Sequence, residues 1–446
     1  MTEAGIQDKP VGHSFSLTTI TIFIRFVMEA ATSLRGAAKS IGIVKASLGL
    51  PAVPSWHCGR LWLMRLGHYK LTREKTISDD WVWIIDHSVQ TGEDKCLVVL
   101  GIRMSNLPAR GECIQYKDVE PIELIPVKQS DGDIVYRQLE QAAKKTGVPR
   151  AIIGDKGSEL NCGIKRYCEE HPETVSIYDI KHKTALVLKK QLENSDKWNE
   201  FRTWASASKM QLQQTGLAHL SAPNQRSKAR YMNVDTLIVW GQRVLQIVEP
   251  LQKKRVLSQE EEKIVEKLSV IMQFKKSLRV WKEMIDVVGT VESFIRREGY
   301  TANTDKELQA RFDETDIRPK SREAKHVRSE LQSFVQEQQK TCKKKGERLP
   351  GSSEIIESVF GKQKFLEGEQ SKSGFTGLLL GIGAFVSSTS DAIIKTALET
   401  VKTADVLNWS KEHIGSSVQA KRSMAFSSNN CKKPGKKLAS TAMSTI

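Results

Sequence analysis

Trp81-Val82-Trp83-Ile84-Ile85-Asp86 and Ala151-Ile152-Ile153-Gly154-Asp155 decide how this chain folds. Both are apolar runs too short for a helix and rich in aromatic or β-branched residues, which suits strands. Each ends on an aspartate. After the first, Thr91-Gly92-Glu93-Asp94 reads as a turn and Lys95–Arg103 as a returning strand, so the pair predicts a hairpin. Glu120–Lys128 is a third strand. A helix then opens at Asp131 and stops near Gly147-Val148-Pro149, where Gly and Pro punctuate the chain. Gly157-Ser158 starts another helix, to about Glu170, and Thr174–Tyr178 is a fifth strand. The order β-β-β-α-β-α-β predicts a mixed α/β sheet.

Outward from this centre the character changes. Residues 1–75 read as mainly helical. Ser33-Leu34-Arg35-Gly36-Ala37-Ala38, followed by Pro54-Ser55 and a helix carrying Arg60 and Arg65, fits either a helix-turn-helix with both arginines on phosphates or a small helical cap. Residues 183–350 hold long charged helices, such as Gln259–Phe274 and Ser321–Lys345, and no convincing strand. Residues 352–368 form a further helix and an apolar helix lies near 373–400. The resulting divisions are 1–75, 76–182, 183–350, 351–412 and a basic tail, 413–446, expected to be disordered. There is no internal repeat.

The chain has 446 residues, room for two or three folding units at roughly 100–200 residues each. Its 68 Lys+Arg exceed its 52 Asp+Glu, giving +16, which favours a polyanionic partner through phosphate attraction and counterion release. Seven cysteines, at 58, 96, 113, 162, 168, 342 and 431, include no C-x-x-C pair. A disulfide framework and a zinc ribbon are disfavoured, and a reducing, intracellular setting is expected. Cys162, Cys168, His171 and His182 are spaced unlike a tetrahedral zinc set. The longest apolar runs, Leu17–Met28 and Phe375–Val386, are too short to span a bilayer, and no secretory signal is read.

The chemistry rests on carboxylates. In a β-β-β-α-β order the first and fourth strands can lie side by side, bringing Asp86 and Asp155 to neighbouring strand ends, where hard oxygen donors suit Mg²⁺. A third acid is expected from a helix beside them. Ser352-Ser353-Glu354-Ile355-Ile356-Glu357 opens one, with Ser352 or Ser353 as its cap. Glu357, Gly361, Lys364 and Gly368 share one face at helical spacing, while Ile355, Ile356, Val359, Phe360 and Leu366 pack. Each glycine inside a helix costs about 1 kcal/mol against Ala, so two on the acid face suggest close approach of something bulky, such as a DNA backbone. Lys364 would reach a phosphate. Trp240 and Trp281, which could stack on a base, sit at a spacing more usual for core, and His87 points to the strand face opposite Asp86.

These features together resemble an RNase H-like DDE transposase over roughly residues 80–370. Asp86, Asp155 and Glu357 fall in the order of that family, and Glu357 with Lys364 is similar to the E-x6-K signature of insertion-sequence transposases. The Tyr and Arg preceding that Glu in some members are absent. Asp179-Ile180-Lys181-His182 resembles the [C/D]-x-x-H element of hAT-like families, which also carry a helical insertion before the Glu.

The resemblance implies an RNase H-like core interrupted by an all-α insertion and DNA strand cleavage and transfer at transposon ends. It implies two Mg²⁺ ions, replaceable by Mn²⁺, with Asp86 bridging both and Asp155 and Glu357 each binding one; Glu354 competes for the third role. It further implies His182 either near the scissile phosphate or orienting Asp179, double-stranded DNA as partner and substrate, a homodimer or larger synaptic assembly, and a bacterial, cytoplasmic, nucleoid-associated location. A non-catalytic DNA-binding derivative and an RNase H-like nuclease without strand transfer are the rival readings.

Overall fold

The computed structural model describes residues 8–89, 94–225, 230–368, 374–416 and 418–427. The chain opens with α1 (Leu17–Met28), α2 (Leu34–Val44) and α3 (Trp56–Thr72). Ser16, Ser33 and Ser55 each accept a first-turn backbone N–H at their starts, the bond that satisfies an otherwise orphaned donor. Then come β1 (Trp81–Val89), β2 (Lys95–Arg103), β3 (Glu120–Val127), α4 (Gly132–Thr146), β4 (Ala151–Gly154), α5 (Ser158–Glu170) and β5 (Val175–Tyr178). Helices α6 (Ile180–Leu192), α7 (Asp196–Leu212), α8 (Val234–Lys253), α9 (Gln259–Leu268), α10 (Lys275–Glu298), α11 (Thr304–Glu314) and α12 (Arg322–Gln339) follow. The chain continues with α13 (Glu354–Gly368), α14 (Gly381–Phe385), α15 (Asp391–Thr400), α16 (Thr403–His413) and α17 (Val418–Ala425).

The five strands form one sheet in the order β3-β2-β1-β4-β5, so the protein is of the α/β class with a mixed sheet. β1 runs antiparallel to β2 and parallel to β4, and β2 is antiparallel to β3. Edge position explains how β3 tolerates Pro121 and Pro126, since a proline cannot donate to a ladder on both sides. The turn expected at 91–94 lies almost wholly outside the described residues.

Two compact units divide the chain: 1–108, 114–176 and 353–446 make the first, 109–113 and 177–352 the second. In the first, one sheet face presents Trp83, Ile85, Leu97, Val99, Ile122 and Ile152 to Val135, Leu139, Ile164 and Tyr167 of α4 and α5. Each such large side chain withdrawn from water is worth about 1.5–3 kcal/mol. The other face meets α3 at β3 and α13 at β1.

α3 carries Trp62, Leu63, Met64, Leu66 and Leu71 in buried positions and packs on α1, α2, α14, α15 and α16. A groove-reading helix must present a free face, and most of this one is packed against its neighbours. Gly67 allows the closest approach: a Cβ there would lie 1.8 Å from the Leu380 carbonyl oxygen. Arg65 donates from Nε to the Val401 carbonyl at 2.5 Å and from Nη2 to that of Leu398, closing the C-terminus of α15. Arg60 is half-buried near the buried Glu367. Both arginines expected on phosphates are therefore turned inward.

The second unit is helical, around an aromatic core of Trp198, Phe201, Trp204, Trp240, Phe274 and Trp281. Trp281 is buried among these rings and Trp240 donates to the Leu220 carbonyl at 2.9 Å, which makes both core residues. Gly299, at φ +71°, lets Tyr300 exchange backbone hydrogen bonds with Leu349 at 2.6 and 2.9 Å.

At the C-terminus, Val418–Ala425 is helical where disorder is expected from composition, and 428–446 lie outside the described residues. Among the described residues no helix is long and apolar enough to cross a membrane.

Candidate active site

Parallel pairing of β1 with β4 brings the strands that lead to the two aspartates side by side. Val82, Trp83 and Ile84 pair with Ala151, Ile152 and Ile153. The pairing ends there: Asp86 lies two residues beyond Ile84 in β1, and Asp155 directly follows Gly154, the last residue of β4. Ile85 still approaches Gly154 closely: a Cβ on Gly154 would lie 3.5 Å from the Ile85 carbonyl oxygen.

Alternation fixes the face. Trp83, Ile85 and Ile152 point toward α4 and α5, so Asp86, within β1, points the other way, to the face on which α13 packs against β1, while Asp155 lies past the end of β4, where alternation no longer applies. Both are half-exposed. Each has one oxygen held locally: Asp86 Oδ1 accepts the His87 N–H at 2.7 Å, and Asp155 Oδ1 accepts that of Gly157 at 2.9 Å.

Glu357 lies in the first turn of α13, half-exposed, as is Glu354 one turn earlier. Ile355, Ile356, Val359, Phe360 and Leu366 are buried, while Gly361, Lys364 and Gly368 are exposed on the face of Glu357. A Cβ at Gly361 or Gly368 would meet nothing within 4 Å. Internal packing therefore gives no reason for either glycine. Gly361→Ala is expected to stabilise the protein by about 1 kcal/mol, checked by denaturant unfolding, while lowering affinity for any large ligand lying on that face.

His87 occupies the opposite face, with Nε2 at 3.2 Å from Ser130 Oγ. Burial holds its pKa below the ordinary value; Lys95 adds to this, and Glu159 and Asp155 oppose it. Asp179 and His182 belong to the second unit. Asp179 caps α6, accepting the His182 backbone N–H at 2.8 Å and lying 3.1 Å from its Nδ1. His171 is taken up by Glu140 at 2.6 Å, and Cys162 is exposed.

Among the described residues no three His, Cys, Asp or Glu side chains are grouped to hold a metal. Asp86, Asp155 and Glu357, all described, are carboxylates of the hard-oxygen type that Mg²⁺ prefers, but they are not brought together into such a group. Sequence reasoning missed Tyr116, whose hydroxyl is hydrogen-bonded to Ser358 Oγ, next to Glu357. Nothing local in Gln115-Tyr116-Lys117 signals that contact, because it spans 242 residues.

No protein-family model and no curated protein matches the chain. Among solved structures it is similar to one titled "Drosophila P element transposase strand transfer complex", at 13% identity and a TM-score of 0.38, over 87% of this chain and 93% of that one.

Proposed function

We propose that the protein is an RNase H-like DDE transposase that cuts and rejoins DNA. The parallel pairing of β1 with β4 supports this reading, because Asp86 and Asp155 belong to the C-terminal ends of two neighbouring strands and the helix of Glu357 packs against β1. Carboxylates drawn together in a site repel one another, and a divalent cation offsets that repulsion. When bound, paired Mg²⁺ ions supply activation of the attacking oxygen and neutralisation of the leaving one.

Asp86, Asp155 and Glu357 hold those ions in this reading, and the glycine face of α13 lets the DNA backbone approach them, with Lys364 on a phosphate. Water attacks the scissile phosphodiester: one P–O bond forms, the P–O3′ bond breaks, and the proton given up by water is balanced by the one taken by O3′. The freed 3′-hydroxyl then attacks a second phosphodiester: its O3′–P bond forms, the P–O3′ bond of that second strand breaks, and the proton lost by the attacking hydroxyl is balanced by the one taken by the departing O3′. A homodimer or larger assembly on paired ends follows from the same reading.

The test offers supercoiled plasmid and pre-cut end fragments to the protein in Mg²⁺, in Mn²⁺ and in EDTA. Metal-dependent nicking together with joined products is expected. Nicking without joining would indicate a nuclease, and binding without either would indicate a non-catalytic derivative.

A further inference from the structure

We propose that Tyr116 is a positioning residue for Glu357, acting through Ser358; this rests on the function proposed above. The chain returns to the first unit at residue 353, one residue before α13 begins, so the helix bearing the third acid starts directly at the crossing from one compact unit to the other. Ile356, Val359 and Phe360 bury an apolar face that fixes how the helix is rotated. A directional hydrogen bond adds a restraint along the helix axis to that packing.

Tyr116 supplies such a bond. It lies in a short 3-10 turn, Tyr116–Asp118, between β2 and β3, and its hydroxyl is hydrogen-bonded to Ser358 Oγ. Lys362, one turn on, sets its ammonium 3.9 Å from the Tyr116 ring centroid and donates to the Met28 carbonyl at 3.0 Å. The tyrosine backbone is held in turn. Its carbonyl accepts the Ser387 N–H at 2.8 Å, and the Ser387 carbonyl accepts from the buried Lys70 ammonium at 3.0 Å. Ser387 adopts φ +56°, an unfavourable conformation for serine, and its hydroxyl accepts from Arg73 at 3.2 Å. The clamp therefore runs unbroken from α3 to the residue beside Glu357. Displacements near 1 Å can cost about 10²-fold in rate, which gives such a clamp a use.

Tyr116→Phe, Ser358→Ala and the double variant test this in two ways. Hydrogen exchange on metal-free protein is expected to show faster exchange in the first turns of α13 in all three. Single-turnover DNA cutting is expected to fall about two- to twelvefold in each single variant, the range of one net hydrogen bond, with DNA affinity unchanged and the double no slower than the singles. Unchanged exchange overturns the clamp. So does unchanged cutting, or a rate loss matched by weaker DNA binding, which would make Tyr116 a DNA contact. A wild-type protein that exchanges as expected but never cuts DNA instead removes the proposed function.

Discussion

Asp155→Asn is expected to reduce metal-dependent DNA cutting by about 10²–10³-fold, the order seen when one group stabilising transition-state charge is removed. The fold should not suffer. Asp155 Oδ1 accepts the Gly157 N–H, and an amide oxygen can accept the same bond. What asparagine lacks is the negative charge a cation needs. Asp86→Asn is expected to behave alike, since its own oxygen accepts the His87 N–H and keeps doing so as an amide. Glu357→Gln, set beside Glu354→Gln, assigns the third role, because both acids lie in the first turn of α13. Cutting rate, DNA affinity and melting temperature measured together separate lost chemistry from lost fold. If Asp86→Asn and Asp155→Asn both cut DNA like wild type, the site is not where the strand ends put it.

The strands and the helix that carry the proposed site were legible in the sequence for a physical reason. Apolar runs ending on Asp86 and Asp155 announce buried strands with polar C-termini, and the helical spacing of Glu357, Gly361 and Lys364 announces one face of α13. Such signals are local, since period and punctuation are written within a dozen residues. What could not be read depends on partners remote in sequence. Arg60 and Arg65 look like exposed phosphate contacts until residues 367 and 398–401 are folded against them. The 418–425 helix was hidden by a basic, polar composition that argues for disorder. Tyr116 offers no pattern at all, and only the structure joins it to Ser358.

Lys70→Met is expected to destabilise the protein by about 1–3 kcal/mol for each buried acceptor it leaves without a donor. The Lys70 side chain is fully buried, and its ammonium donates to the carbonyls of Ala384, Val386 and Ser387 at 3.1, 2.7 and 3.0 Å and to Thr389 Oγ1 at 2.6 Å. Replacing a buried charge with an apolar side chain is sometimes neutral, but only when its partners are replaced too. Here three partners are backbone carbonyls, which no substitution at position 70 removes, so they are left without this donor. A fall in melting temperature on the order of 10 °C is expected. The pH dependence gives a second readout. Burial lowers the Lys70 pKa from its ordinary 10.5 to about 7, with Arg73 and Lys75 pushing the same way and Glu120 opposing. Between those values the unfolded chain binds more protons than the folded one, so the wild type gains stability as pH rises from 7 toward 10, by up to about 1.4 kcal/mol per unit. Lys75, lowered to about 8, adds a rise of the same sign that Lys70→Met retains. The variant should therefore show a shallower increase over that window; equal slopes would mean that Lys70 keeps its proton throughout, and an unchanged melting temperature would mean that the 384–389 segment does not depend on it.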